Sequence, residues 1–322
     1  MQRKIFSSTD FLNPVTDFPS PVSSSHGAML LDSIPLAFAP KDIDVSVEGH
    51  ELFVSHEDGS GVSVINIAER QIVSTIERSG GGDIAVSPEG ETLYVAGEHE
   101  CVVIDIQRCA IKQVIDAEGI DRVAASPDGR FICMTFRDAP GGLIRVLETA
   151  EYKAESDFDL GRMSNATLVM ALSPDSRYIY AAEISDDPDS AVAVIDTVDY
   201  SQVDIPGFRN PCSMAVSREG RYLYVGGFDE MFIADTTTHR IHYALEFGSR
   251  GYPVNVIGVT PDEKYVYAIH TCNFDLYRID TQERTAERID VFESVGGAVL
   301  NREGTRLYTT HPDRQWVSIY AL

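Results

Sequence analysis

Seven times along the chain a run of small and β-branched residues is followed by a turn of the Ser-Pro-Asp-Gly kind and then by a second, mostly aromatic-bearing run. Close copies of the turn stand at Ser87-Pro88-Glu89-Gly90, Ser126-Pro127-Asp128-Gly129 and Ser173-Pro174-Asp175. Degenerate copies stand at Ser46-Val47-Glu48-Gly49, Ser217-Arg218-Glu219-Gly220, Thr260-Pro261-Asp262 and Asn301-Arg302-Glu303-Gly304. Successive lead residues lie 39 to 47 positions apart. Proline presets φ and glycine accepts a positive φ, so each copy marks a tight hairpin between two strands. A period near forty with that punctuation corresponds to one four-stranded antiparallel sheet per repeat.

Seven such sheets close into a ring, which makes the expected fold all-β, a seven-bladed β-propeller of four-stranded antiparallel blades. Within the second repeat, Asp83 to Ser87 reads as inner strand A, Thr92 to Ala96 as B, Cys101 to Ile106 as C and Ala110 to Ile115 as D. The last repeat stops after its C strand, Trp316-Val317-Ser318-Ile319-Tyr320, while Ala28 to Ile34 has the pattern of a D strand. An N-terminal strand completing the last blade is therefore expected, which removes an exposed sheet edge. The domain division that follows is an arm at residues 1–27 and one propeller domain at 28–322. The arm, rich in proline and serine, reads as a disordered tail, a cap over the channel or a reach toward a second subunit.

The repeats resemble the YVTN type of seven-bladed propeller, on Tyr94-Val95-Ala96-Gly97, Tyr224-Val225-Gly226-Gly227 and Val194-Ile195-Asp196-Thr197. No copy carries the terminal Asn of that signature. A single tryptophan, Trp316, and the absence of Gly-His and Trp-Asp pairs speak against the WD-repeat type. The resemblance implies architecture; propellers of this broad group include binding modules as well as lactone-opening enzymes and lyases, some of them metal-dependent.

Fifty acidic against 26 basic residues leave a net charge of −24. That charge repels phosphate backbones, so neither nucleic acid nor an anionic membrane is an expected partner. No apolar stretch is long enough to span a bilayer as a helix. The N-terminus has no secretory h-region, and five cysteines without paired spacing read as reduced thiols, so a cytoplasmic location is expected.

Aligning the repeats predicts which residues meet around the ring. The end of strand B reads His56, Gly97, Phe136, Glu183, Gly227, His270 and His311. His270, His311 and His56 fall on consecutive blades, and imidazole is both a metal ligand and an acid/base group near neutral pH. One reading makes His56, His270 and His311 the ligands of a divalent metal, with His270 or His311 catalytic; the other has each ring hydrogen-bonded at its own strand end. The third position of strand A is small or apolar except for Asp44, read as structural or as a contact for channel water or a cation.

The connectors between blades carry Lys41, Arg78, Arg122, Arg162, Arg209 and Arg250, while the B-to-C loops are acidic. A basic mouth inside an acidic rim would take a small anion, with Arg122, Arg209, Arg250, Tyr252 and Glu183 as contacts. The alternative is that these arginines pair with the surrounding carboxylates. Two functions stay open: a propeller binding a small anion or a basic protein partner, and a lyase or lactone hydrolase, metal-assisted or not, working at the channel mouth.

Overall fold

The computed structural model describes residues 27–137, 142–160, 167–184, 190–248 and 251–322. It contains seven four-stranded antiparallel sheets. Six of them run in chain order, A to D. Blade 1 comprises Pro40–Val45, Glu51–His56, Gly61–Asn66 and Gln71–Glu77. The seventh takes A, B and C from Ala298–Leu300, Arg306–His311 and Trp316–Ala321, and its D strand is Met29–Pro35 from the other end of the chain. The register of that closure runs from Met29 opposite Ala321 to Pro35 opposite Trp316, as the truncated last repeat implied. Residues 1–26, most of the expected arm, lie outside the described residues, and no described helix is long and apolar enough to cross a membrane.

The lead residue of every repeat has a structural reason. Its side-chain oxygen accepts the backbone N–H five residues on, so the hydroxyls of Ser46, Ser87, Ser126, Ser173, Ser217 and Thr260 and the amide oxygen of Asn301 each close one A–B hairpin. The N–H at the fourth turn position returns to the lead residue's carbonyl, as from Gly90 to Ser87 at 2.9 Å, with Gly90 at φ +76°. A side-chain bond of this kind stabilises by about 1 kcal/mol and fixes which residues face each other across the hairpin.

Hydrophobic burial is distributed over seven interfaces between neighbouring blades, with no single centre. One cluster joins Phe53 and Val64 of blade 1 to Leu93 and Val95 of blade 2; another joins Tyr224 and Ile233 of blade 5 to Val266 and Ala268 of blade 6. Ile34 and Leu36 from the N-terminal strand, Val317 and Tyr308 of blade 7 and Leu52 of blade 1 form the interface where the ring closes. The inner strands of all seven adjacent pairs pack beside one another, so strand A lines the axis and D lies at the rim. One end of the ring therefore carries the D-to-A connectors and B-to-C loops, and the other the A–B and C–D turns.

Candidate functional site

The three aligned histidines are each enclosed in their own part of the ring. His56 is 1% exposed, with Nδ1 2.9 Å from Ser60 Oγ and Nε2 2.9 Å from Ser63 Oγ. His311 is 5% exposed; its Nδ1 donates to the Ser294 carbonyl at 2.5 Å and its Nε2 lies 2.9 Å from Thr309 Oγ1. Burial disfavours the imidazolium in both, and their pKa values are lowered. His270, 4% exposed, places Nε2 2.8 Å from Asp229 Oδ1, with the ring of Tyr252 edge-on at 6.5 Å. Among the described residues no three His, Cys, Asp or Glu side chains gather in a way that could hold a metal ion. Alignment places the three histidines on one arc; their side chains, however, turn into separate blade interfaces, where hydroxyls, a carbonyl and a carboxylate occupy the ring nitrogens.

Asp229 is fastened as firmly as its histidine partner. Burial alone would raise its carboxyl, but N–H groups from Gly251 and Tyr252 together with His270 outweigh it and hold the pKa below the usual value. An oriented imidazole results, shut away from solvent.

Two of the arginines expected to receive an anion have carboxylate partners. Arg209 pairs with Glu230, whose carboxyl is pushed up by burial against the pull of that guanidinium. Arg122 lies 3.7 Å from Asp83. Arg250 falls outside the described residues, as does Arg162. Tyr252 is exposed, and Glu183 is half-buried at the end of strand B in blade 4.

The inner strands carry a second charged set, of which the sequence pointed to Asp44 and to Arg122, the latter expected in a connector but lying within the inner strand Ile120–Ala125. Asp42, Asp83 and Arg122 hold equivalent positions in blades 1, 2 and 3. Each aspartate accepts an N–H from the next blade: Asp42 from Ile84 at 3.1 Å, Asp44 from Val86 at 2.8 Å and Asp83 from Val123 at 2.9 Å. Asp44 is thus a structural clasp. Burial raises all three carboxyls, Asp44 to about 7 and Asp83 to about 8; Asp83 is raised further by Asp42 and opposed by Arg122.

A cleft of about 1010 Å³ lies across the loop end of blades 1 to 3. Its walls present Glu57, Asp58, Glu98, Asp116, Glu118 and Asp121 against Lys41, Arg137 and Arg145. Arg145 is spent on Asp157 through two bonds of 2.8 Å, and Arg137 donates to Asp121 at 2.5 Å. The Asp121 side chain is 5% exposed, and its other oxygen, Oδ2, is buried with no donor among the described residues. Gly81 and Gly82 of the blade 1 to 2 connector line the cleft, where a Cβ on Gly81 would meet the His56 carbonyl at 2.1 Å and one on Gly82 the Ala96 carbonyl at 2.4 Å. Only glycine lets the connector lie that close to the blade ends, which keeps the cleft open. Sequence reasoning marked the acidic loops but missed this cleft; the glycine run beside them was the available signal.

No protein-family model and no curated protein sequence matches the chain. Solved structures do. Hydrazine synthase of Kuenenia stuttgartiensis superposes with a TM-score of 0.77 at 16% identity, over 90% of this chain and 97% of that one. The Cps50 (Swd1) β-propeller domain of Myceliophteria thermophila gives 0.74 at 12% identity, over 92% and 99%. At such identities the likeness is one of fold: the chain is a seven-bladed β-propeller, an architecture that commonly binds ligands or proteins.

Proposed function

We propose that this chain is a binding propeller, built of YVTN-type repeats, whose acidic cleft over blades 1 to 3 receives a lysine- or arginine-bearing segment of a protein partner. The observation that carries the reading is the charge of the cleft, six carboxylates against three cations of which Arg137 and Arg145 are already paired, with Asp121 Oδ2 lacking a donor among the described residues. Buried acceptors are almost always satisfied in folded proteins, and an ammonium or guanidinium supplies the missing donor with charge assistance. The net charge of −24 adds long-range attraction for such a partner.

The test is calorimetric titration of the full chain with a short lysine- and arginine-rich peptide, compared with a glutamate-rich one, at low and high salt. Asp121→Asn is expected to weaken the basic peptide about tenfold, the scale of one charge-assisted hydrogen bond. Equal binding of the acidic peptide, or no effect of Asp121→Asn together with Glu57→Gln and Glu98→Gln, would end the proposal.

One arrangement favours a second, smaller ligand. Arg122 is 40% exposed on the inner strand, its Nε has no acceptor among the described residues, and burial pushes the carboxyl of its neighbour Asp83 up to about 8. At neutral pH that leaves the guanidinium poorly compensated, which suits a small carboxylate or phosphate at the channel mouth. Arg122→Gln should abolish such binding and leave the basic peptide unaffected. The lyase or lactone-hydrolase alternative requires His270 or His311 to reach a substrate, and both rings are buried.

A further inference from the structure

At the opposite end of the ring, where the A–B and C–D turns lie, a cleft of about 390 Å³ opens between blades 5 and 6. Blade 5 contributes an aromatic wall of Tyr222, Tyr224, His242 and Tyr243; blade 6 contributes Asp262, Glu263 and Arg284. We propose that this cleft is a second binding site, one that takes the guanidinium of an arginine side chain on a partner peptide, with Arg284 as its resident stand-in. The proposal does not rest on the acidic cleft at the other end.

The argument begins with Arg284. Its guanidinium lies 4.7 Å above the Tyr243 ring, and its Nη2 is 3.0 Å from His242 Nε2, which accepts as a neutral imidazole. Other arginines stack on rings in this protein: Arg145 on Phe136, Arg177 on Tyr178, Arg221 on Tyr222, Arg278 on Tyr265 and Arg314 on Trp316. Each of those five also pairs with a carboxylate, at no more than 3.7 Å. Among the described residues Arg284 makes no such pair, so an exposed side chain is held by one ring face and one neutral acceptor. Exposed contacts of that kind contribute about 0.5–1 kcal/mol, little enough to be displaced.

The cleft also holds the reverse imbalance. Neither Asp262 nor Glu263 makes an ion pair among the described residues; their recorded bonds go to turn groups, Asp262 to Thr260 and Lys264 N–H, and Glu263 to Glu219 N–H at 2.7 Å. An arginine that makes no ion pair among the described residues thus shares a cleft with two carboxylates that make none, Asp262 having only the longer-range charge of Lys264. A guanidinium brought in by a peptide can lie on the tyrosine wall and face the carboxylates, making the contacts that Arg284 makes singly. Planarity favours arginine over lysine, because a guanidinium stacks flat while an ammonium is a compact, strongly hydrated point charge.

The experiment uses the full ¹⁵N-labelled chain and two probes, acetyl-Gly-Arg-Gly-amide and its lysine counterpart, with the amide signals of Glu263 and Gln282 as a local readout. The arginine probe should shift those signals and bind about threefold or more tightly than the lysine probe. Arg284→Ala removes an exposed side chain and vacates the ring, and is expected to strengthen arginine binding about threefold; Glu263→Gln should weaken it by a similar factor. Asp121→Asn, in the other cleft, should leave these signals unchanged, which separates the two sites. If Glu263 and Gln282 in Arg284→Ala do not respond to about 10 mM arginine probe, a ceiling set by the weakest useful affinities, or if both probes bind that variant equally, the proposal is overturned.

Discussion

Asp44 and Asp83 couple the joints between the first three blades to pH. Burial raises both carboxyls, to about 7 and about 8, so the folded chain holds protons that the unfolded chain has released above its ordinary value of 3.8. Where the folded state binds more protons, stability falls as pH rises, and the loss is complete only above the folded pKa. His56 and His311 act with the opposite sign: burial lowers their pKa, so stability is lost as pH falls below the ordinary 6.5 and the unfolded state takes up protons. Below pH 6.5 the two effects oppose each other; above it the histidines are neutral in both states and the carboxyls act alone, so stability should decline from pH 6.5 toward 8.5. Each proton contributes a slope of at most about 1.4 kcal/mol per pH unit, reduced here because Asp83 is partly exposed. Asp83→Asn keeps an oxygen for the Val123 N–H and should flatten the decline above pH 6.5 in urea unfolding. An unchanged alkaline limb would show that the proton is not on Asp83.

Between hairpins, the fourth turn position carries a trade between backbone strain and blade-to-blade contact. Glycine fills it in five repeats at φ between +67° and +76°, but Ser176 and Glu263 hold it at +62° and +56°. A left-handed conformation costs such residues about 1–2 kcal/mol. Both reach the preceding blade in return: Ser176 Oγ accepts from Asp128 N–H at 2.9 Å, and Glu263 accepts from Glu219 N–H at 2.7 Å. Ser176 is fully buried, whereas the Glu219 N–H lies where water can replace the carboxylate. Ser176→Gly should thus destabilise by about 1 kcal/mol, because loss of the part-buried bond from Asp128 N–H and of the packing of a buried side chain outweighs the relief of strain. Glu263→Gly should be neutral or stabilising by up to about 1 kcal/mol; thermal unfolding of the two variants decides it, and equal losses would refute the trade. The turn chemistry of these elements was readable from Ser-Pro-Asp-Gly alone, as was strand order, because both are local. What lay beyond it was side-chain direction. A column of histidines at the end of strand B fixes their place around the ring, but His56, His270 and His311 point into blade interfaces, and only the packed sheets decide that. Asp121 and the Gly80-Gly81-Gly82 connector went unread for a related reason: their meaning lies in what approaches them from neighbouring loops.

For the whole ring, one interface differs from the other six in being assembled from both ends of the chain. Strand Met29–Pro35 pairs with Trp316–Ala321, and its Ile34, with Leu36 just beyond, joins the cluster between blades 7 and 1. Covalent continuity supports every other blade, so opening should begin where the two ends separate. Ser33 and Ser318 stand directly opposite in the closing register, with their hydroxyls 3.1 Å apart. Ser33→Cys with Ser318→Cys should form a disulfide there, since directly opposed positions of antiparallel strands bring Cβ atoms to about 4.5–5.5 Å and modest adjustment reaches bonding distance. The bridge would enclose nearly the whole chain, and the chain-entropy model gives about 6 kcal/mol for loops of that size, with about 2–4 kcal/mol the usual yield. The native cysteines at 101, 133 and 212 are buried, while Cys109 and Cys272 are partly exposed, so the pair is best introduced in a Cys109→Ser, Cys272→Ser background. The oxidised variant should unfold at higher temperature than its reduced form, and the gain should be absent from the singly substituted Ser318→Cys chain under the same oxidising conditions. If oxidation leaves the unfolding rate unchanged, the ring opens first at some other joint, and the closing strand is held as firmly as the blades that sequence continuity builds.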